Sequence, residues 1–319
     1  MMIALDIFRA LADATRLRIL ALVQAMELSV GELAQVLGQS QPRVSRHVKI
    51  LCDAGLAERR KEGSWVFVAL GDRARVDPVV AALEAWRGAE SDHWAVADAA
   101  RLAAVRADRA AAANAWFEAN ADQWDAIRSL HIAEADVEAA MRDMLGPAAL
   151  GMLIDIGTGT GRMLELFAPD AVQALGIDRS SEMLRLARAK LAERGLANAE
   201  LRQADLYALP MADAAADVAI IHHVLHFAQQ PGAAIAEAAR VLRPGGRVLI
   251  ADFAPHDREE FRAQGGHTRL GFSDEQLHGW FDAAGLAPVR TEALCGGELT
   301  VKLWLGRKVG PPLKEAIAA

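Results

Sequence analysis

Cysteine and long apolar stretches are both scarce in this 319-residue chain, and each shortage excludes a class of protein. The two cysteines, Cys52 and Cys295, are far apart in sequence, so we expect neither a disulfide framework nor a cysteine-built metal site. No run approaches the roughly 18 uncharged residues that a membrane-spanning helix needs. Charged residues begin at Asp6 and Arg9, which argues against a secretion signal. We therefore expect a protein of the reducing cytoplasm that does not contact a membrane.

Positive charge is in the minority overall but is locally concentrated. The chain has 35 lysines and arginines against 42 aspartates and glutamates, a formal net charge of −7. Residues 40–75 nevertheless contain eight basic side chains against four acidic ones. A basic segment in an acidic protein predicts a local site for a polyanion rather than general electrostatic adhesion. The 53% of apolar residues is ample for buried cores, and the length favours two domains.

The N-terminal sequence predicts short helices, then a hairpin, then a long helical stretch. Apolar residues recur at helical spacing in residues 3–12, 16–25, 30–37 and 44–51. Alternation across residues 56–70 predicts a β-hairpin. We assign residues 1–75 to a winged helix-turn-helix DNA-binding domain, mostly helical with a hairpin wing. Residues 76–145, which are rich in alanine, are assigned to a helical dimerisation or linker segment.

The remaining sequence alternates short apolar strands with amphipathic helices. Strand-like segments occur at residues 152–156, 174–177, 199–202, 217–221 and 247–251. Such alternation predicts a parallel sheet with helices on both faces. We assign residues 146–309 to this α/β domain and residues 310–319 to a C-terminal tail.

The fourth predicted helix has two chemically different faces. In projection, Val44, Val48 and Leu51 fall on one side, whereas Arg46 lies nearly opposite. The opposite face carries amide, hydroxyl and guanidinium groups, which pair with base edges and phosphates, and the basic hairpin would follow the DNA backbone. The alternative is a solvated basic face on a structural helix. The candidate DNA-binding residues are Ser40 (the expected N-cap), Gln41, Arg43, Ser45, Arg46, Lys49, Arg59, Arg60 and Lys61.

Three segments of this region resemble the ArsR family of bacterial repressors. They read LADATRLRIL at 11–20, ELSVGEL at 27–33 and QPRVSRHVK at 41–49. The resemblance implies a homodimer whose two recognition helices face a palindromic, double-stranded operator. The family's metalloid sensors carry two cysteines where this chain has Ser29 and Gly31, and Asp92 with His93 offers too few ligands for zinc. We therefore expect no metal site, so the signal has to enter elsewhere.

A glycine-rich turn follows the first predicted strand of the α/β domain. Asp155 precedes a GxGxG pattern formed by Gly157, Gly159 and Gly161, and Asp178 ends the next strand. The glycines permit a tight turn, and a carboxylate at the end of the second strand suits ribose hydroxyls. A dinucleotide fingerprint would read GxGxxG instead. An acidic residue beside the turn would repel a pyrophosphate but suits a cationic sulfonium amino acid.

This pattern resembles the class I S-adenosylmethionine methyltransferases over about residues 115–308. The resemblance implies a Rossmann-like α/β fold that binds S-adenosylmethionine or S-adenosylhomocysteine. It implies that the loop at 155–161 holds the methionine portion, Asp178 the ribose and Asp205 the adenine amine. Arg179 or Met183 could cover the adenine, although Met183 suits a helix core equally. The candidate ligand-binding residues are Asp155, Gly157, Thr158, Gly159, Gly161, Asp178, Arg179, Met183, Asp205, Leu206 and His222.

Catalysis is less readable from the sequence, because methyl transfer mainly requires positioning of the nucleophile. If the acceptor needs a base, His222 and His223 are the candidate catalytic residues, at the end of the fourth strand. Two hypotheses follow. The domain is either the effector-binding part of a transcriptional regulator or an active methyltransferase of a small metabolite with an attached DNA-binding domain. We favour the regulator, since a domain fused to a DNA-binding region need only bind its ligand.

Overall fold

Two compact units make up the chain, residues 1–112 and residues 113–319. The computed structural model describes residues 2–62, 64–87, 93–120, 134–295 and 298–310. Two parts of the expected helical segment, residues 88–92 and 121–133, lie outside the described residues, as do residues 311–319 of the expected tail. The bounds of the four segments assigned from the sequence stay predictions.

The first unit has the predicted succession of short helices and a hairpin. Its helices are α1 (Met2–Leu11), α2 (Ala14–Ala25), α3 (Val30–Leu37), α4 (Gln41–Asp53), α5 (Arg73–Arg87) and the start of α6 (His93–Asn120). Strands β1 (Leu28–Ser29), β2 (Ala57–Glu62) and β3 (Trp65–Leu70) form an antiparallel sheet in the order β1-β3-β2. The sequence does not predict β1, because two residues are too few to show alternation.

Short polar side chains and one glycine define where these helices begin and end. Asp13 accepts a hydrogen bond from the Arg16 N–H at the start of α2. Ser29 and Glu32 form a reciprocal capping box at the start of α3. Gly38, with φ 64°, ends α3 in the left-handed conformation that glycine adopts without strain. Gly38 therefore ends α3 before the turn that leads to α4.

The N-terminal part of α6 belongs to the core of the first unit. Arg18 of α2 donates two hydrogen bonds of 2.6 Å to the carboxylate of Asp98, which is 4% exposed. Arg101 donates to the carbonyl oxygen of Val36 at the end of α3. Leu102 and Val105 pack in the same buried cluster as the first four helices. Helix α6 is therefore tied by charge and by packing to the helices that precede the hairpin.

The second unit is built on a seven-stranded sheet. Its strands are β4 (Met152–Ile156), β5 (Gln173–Asp178), β6 (Ala199–Gln203), β7 (Ala216–His222), β8 (Leu242–Phe253), β9 (Leu286–Leu294) and β10 (Val301–Lys308), in the order β6-β5-β4-β7-β8-β10-β9. Its described helices are α7 (Glu134–Leu145), α8 (Arg162–Phe167), α9 (Ser181–Glu193), α10 (Pro231–Val241), α11 (Glu260–Gly265) and α12 (Asp274–Ala283).

The predicted parallel sheet is present, and two further strands extend it at one edge. Strand β10 is inserted between β8 and β9 and runs antiparallel to both. Neither β9 nor β10 was predicted from the sequence. Most residues of β9 are exposed, so no buried apolar run marks it, and the apolar residues of β10 are interrupted by Lys302 and Gly306. The five strands that were predicted, β4 to β8, run parallel to one another.

The parallel strands determine where a site can form. Their centre is fully buried, with Ile154, Ile220 and Leu249 each 0% exposed. The carboxyl ends of parallel strands meet at one edge of a sheet, and ligands of such folds bind there. Both cysteines are free, and none of the described helices is long and apolar enough to cross a membrane.

Candidate functional site

Helix α4 has the two faces that the sequence predicts. Val44, Val48 and Leu51 are each 0% exposed and anchor the helix in the core of the first unit. Apart from Pro42 and Ile50, the side chains of α4 that face solvent are polar or charged. Among the predicted DNA contacts of this helix, Ser45 is half-buried, and the exposed ones are Gln41, Arg43, Arg46 and Lys49. Ser40 occupies the N-cap position with an extended backbone, but its side chain makes no capping hydrogen bond. An exposed polar face on a firmly packed helix is suited to major-groove contacts.

The hairpin corrects one predicted DNA contact. Arg60 is half-buried and donates hydrogen bonds of 3.0 and 2.8 Å to the two carboxylate oxygens of Glu27. Successive residues of a strand point to opposite faces, so Arg59 and Lys61 remain exposed on the other side. All three residues also lie within β2 rather than at the tip of the hairpin. Arg60 is therefore a structural cation, and Arg59 and Lys61 are the remaining hairpin candidates.

The glycine-rich loop after β4 is held against the end of β5. The N–H groups of Gly157 and Thr158 both donate to the carbonyl oxygen of Ile177, at 2.7 and 2.8 Å. The Thr158 hydroxyl donates to Asp155, with an Oγ1–Oδ2 distance of 2.6 Å, and the two residues are 6% and 1% exposed. Asp155 and the Thr158 side chain are therefore buried and stabilise the loop. The backbone of the loop is the candidate surface for contact with a ligand.

Two glycines of this loop are required by its geometry. Gly157 has φ 75°, and a Cβ atom there would overlap the side chain of Val224. Gly161 has φ 86° at the start of α8, and a Cβ atom there would lie 3.2 Å from Ala187. Both positions combine a backbone conformation that L residues rarely adopt with close packing. The pattern read in the sequence thus has a steric cause.

Asp178, at the end of β5, is fixed by the backbone. Its Oδ2 atom accepts a hydrogen bond from the Gly159 N–H, and its Oδ1 atom accepts one from the Ser180 N–H, both at 2.8 Å. Burial raises the pKa of this carboxyl, and the backbone hydrogen bonds oppose that rise. The carboxylate is therefore held in place before any ligand contacts it.

The other predicted ligand residues are placed less uniformly. Asp205 is exposed just beyond β6 and accepts a hydrogen bond from the Tyr207 N–H, while Leu206 packs against the core. Arg179 is exposed beside Asp178. Met183 is only 2% exposed, which matches the helix-core alternative rather than a cover over an open site.

Buried imidazoles gather at the ends of β7 and β8. His222 Nε2 lies 3.4 Å from Glu134 Oε1. The rings of His222 and His223 pack edge to face, with their centroids 4.5 Å apart. His226 Nδ1 lies 2.7 Å from Asp252 Oδ1. Burial raises the pKa of Asp252 to about 6, although the nearby His223 opposes this rise. His223 also has φ 52°, which is unusual for a residue other than glycine.

This cluster contains groups that the sequence analysis did not bring together. Ligand atoms of His223, His226 and Asp252 all lie within 4.8 Å of one another, so these residues are of a type and spacing that could hold a metal ion. The expectation of no metal site rested on Ser29, Gly31, Asp92 and His93. It did not bring the present three residues together, because they lie up to 29 positions apart in sequence. Glu134 was missed for the same reason, since it contacts His222 only through the fold.

Two family models match the chain, one in each unit. Residues 13–59 match the bacterial regulatory protein arsR family, and residues 154–250 match a methyltransferase domain. The chain therefore joins an ArsR-family helix-turn-helix region to a methyltransferase domain with a seven-stranded, Rossmann-like sheet. S-adenosylmethionine or S-adenosylhomocysteine is the ligand that this domain implies, and the fixed Asp178 and the steric demands of the loop fit such a ligand.

Individual relatives agree with each half. The arsenical resistance operon repressor of Escherichia coli (strain K12) is 39% identical over 87 residues, which cover 27% of this chain and 74% of that protein. The uncharacterized methyltransferase YcgJ of Bacillus subtilis (strain 168) is 32% identical over 106 residues, or 33% of this chain and 42% of that protein. The chain spans less than two thirds of the length of the first curated methyltransferase relatives that it matches.

One solved structure supports the fold alone. A chain of the Haloferax volcanii complex that contains the Trm112 methyltransferase activator superposes with a TM-score of 0.53 at 19% identity. The match covers 62% of this chain and 98% of that one.

Proposed function

We propose that this protein is an ArsR-type transcriptional repressor whose methyltransferase-like domain binds S-adenosylhomocysteine or S-adenosylmethionine as an effector. In this proposal α4 reads a double-stranded operator, and occupancy of the ligand site changes the affinity for that operator. A ligand shifts such an equilibrium only by the difference in its affinity for the DNA-competent and DNA-incompetent states.

The fixed carboxylate of Asp178 carries the ligand half of the proposal. Both of its oxygens are oriented by backbone N–H groups, and each retains lone pairs for ribose hydroxyls. A site whose acceptor is already oriented loses little conformational entropy when it binds. Binding of the nucleoside therefore does not depend on whether a methyl group is later transferred.

The carboxyl edge of the sheet would hold the ligand in the order of the strands. Asp205 and Leu206, after β6, would contact the adenine, Asp178 the ribose, and the loop at 157–161 the methionine portion. When bound, S-adenosylmethionine supplies a sulfonium methyl group that is open to nucleophilic attack. The chain's own part in binding is to orient the nucleoside and to exclude water from it.

A homodimer is part of the proposal, because an operator with two half-sites requires two recognition helices. Large apolar side chains are exposed on two helices of the first unit. Leu5 and Phe8 of α1 are 50% and 66% exposed, and Trp94 and Val96 of α6 are 46% and 74% exposed. Burial of these side chains between two copies would stabilise the dimer by the hydrophobic effect.

Titration of operator DNA with the full-length protein tests the proposal. The operator is first selected from the DNA upstream of the gene, and affinity is then measured with no nucleoside and with each nucleoside at saturation. We expect a change of about 5-fold to 150-fold, the usual range of allosteric coupling. Equal affinity in all three conditions would remove the effector role and favour the enzyme.

An active methyltransferase of a small metabolite is the second candidate, and the imidazole cluster favours it. The hydrogen-bonded His226 and Asp252 have the arrangement of a base and its orienting carboxylate, and His223 has a strained backbone beside them. Multiple-turnover consumption of S-adenosylmethionine with a panel of hydroxyl and amine acceptors tests this candidate. Loss of turnover in His223→Asn or His226→Asn, with nucleoside affinity unchanged, would establish the role of these residues in proton transfer.

A further inference from the structure

Helix α7 places two carboxylates against the edge of the sheet where the ligand binds. Glu134 begins the helix, and its Oε1 atom lies 3.4 Å from His222 Nε2, with the two side chains 13% and 4% exposed. Glu138, one turn further along, accepts hydrogen bonds of 2.6 and 2.7 Å from Arg162. Arg162 is the first residue of α8, directly after Gly161 of the loop. Helix α7 therefore contacts the edge both beside β4 and beside β7.

The order of the strands indicates which end of the ligand reaches Glu134. Along the edge β6-β5-β4-β7, Asp205 follows β6, Asp178 ends β5, the glycine loop follows β4 and His222 ends β7. A nucleoside with its ribose at Asp178 and its adenine toward Asp205 extends its 5′ substituent toward β7. This step rests on the function proposed above. The 5′ substituent of S-adenosylhomocysteine is an amino acid with a cationic α-ammonium group.

We propose that Glu134 binds this α-ammonium group and thereby selects adenosyl amino acids over simpler nucleosides. A largely buried carboxylate gains more from a cationic hydrogen-bond donor than an exposed one does, because water screens it less. Asp155, the other acidic residue on this side of the loop, accepts the Thr158 hydroxyl beneath the loop. The contact between Glu134 and His222 positions the carboxylate for the incoming group.

The position of Glu134 in the chain connects specificity with regulation. Glu134 is the first residue of α7, and α7 immediately follows the segment that leads from α6. Helix α6 is in turn held by Asp98 to Arg18 of α2. We therefore expect nucleosides that lack the amino-acid end to change operator affinity less than S-adenosylhomocysteine does.

Calorimetry of the full-length chain with two probes tests this assignment. The probes are S-adenosylhomocysteine and 5′-methylthioadenosine, which has the same nucleoside and thioether but no amino acid. We expect Glu134→Gln to weaken S-adenosylhomocysteine by about 10-fold to 100-fold, the effect of removing one hydrogen bond to a charged group, and to leave 5′-methylthioadenosine unchanged. Asp136→Asn, an exposed carboxylate in the same turn, is the matched control and should change neither affinity.

Each outcome bears on one proposal only. Unchanged S-adenosylhomocysteine affinity in Glu134→Gln, or equal loss of both probes, overturns the assignment and leaves the proposed function intact. A wild-type protein that binds neither probe overturns the proposed function itself. Thermal unfolding checks the fold of the variant, and Glu134→Asp, which withdraws the charge by one methylene, is the replacement if Glu134→Gln does not fold. Glu134→Asp should lose S-adenosylhomocysteine selectively, and equal affinity to wild type would again overturn the assignment.

Discussion

In the proposed function, Asp178 is the side chain on which ligand binding depends most. Asp178→Ala would remove the proposed acceptor of two ribose hydroxyls and would also release the N–H groups of Gly159 and Ser180. We expect a loss of about 1–3 kcal/mol in binding of S-adenosylhomocysteine, measured by calorimetry. Asp170→Ala, an exposed carboxylate next to β5, serves as control and should bind normally. Wild-type affinity in Asp178→Ala would show that the ribose lies elsewhere.

Asp252 makes the stability of the second unit depend on pH. Because its pKa is raised to about 6 in the folded state from an ordinary value near 4, the folded state binds the proton more tightly. Stability from this group is present at low pH and is lost as the pH rises from about 4 through 6. Asp252→Asn should remove up to about 3 kcal/mol of this dependence. Urea titrations at several pH values in this range measure the free energy of unfolding of both proteins. The same dependence of that free energy on pH in wild type and Asp252→Asn would contradict the prediction.

At the scale of elements, α4 and the hairpin separate DNA contact from stability. Arg46→Ala on the exposed face should cost about 1–3 kcal/mol of operator affinity with little change in unfolding, because the residue is exposed to solvent. Arg60→Ala should instead lower stability by about 1–3 kcal/mol, because it leaves Glu27 half-buried without its cation. Footprinting and thermal unfolding of both variants measure the two effects. The reverse pattern would place Arg60 on the DNA.

Elements with regular patterns were predicted well from the sequence, and contacts between distant residues were not. The faces of α4 followed from the spacing of Val44, Val48 and Leu51, and the glycine loop followed from its own pattern. The ion pair between Arg60 and Glu27 was not predicted, because a count of basic residues ignores the alternation of side chains along β2. Strands β1 and β9 lack a readable pattern, since one is two residues long and the other is mostly exposed.

The site was predictable in its loops but not in its buried pairs. Asp155, Asp178 and the glycines stand in a recognisable order within a short stretch of sequence. The pairs Glu134 with His222 and His226 with Asp252 form only when separate elements pack together. Local periodicity in the sequence cannot predict pairs between separate elements. The histidines were therefore identified from the sequence, but the carboxylates that contact them were not.

For the whole molecule, the proposed dimer predicts an operator affinity that depends on protein concentration. Phe8→Ser removes the most exposed aromatic side chain of α1 without touching α4. We expect weaker self-association by sedimentation, and operator binding that reaches wild-type strength only at higher protein concentration. Val172→Ser, a similarly exposed apolar position in the second unit, is the control and should leave both measurements unchanged. A monomeric wild-type protein with full operator affinity would contradict the dimer.

The backbone at His223 gives this fold an evolutionary constraint. A residue with a side chain costs roughly 1 kcal/mol in the left-handed region compared with glycine, and His223 has φ 52°. Selection for stability alone would therefore favour glycine at this position, whereas a ligand site that uses the imidazole would resist the change. Lineages that abandon catalysis should drift toward glycine here, and a stabilised variant obtained by His223→Gly should show the role of the imidazole by losing turnover while its nucleoside affinity is unchanged.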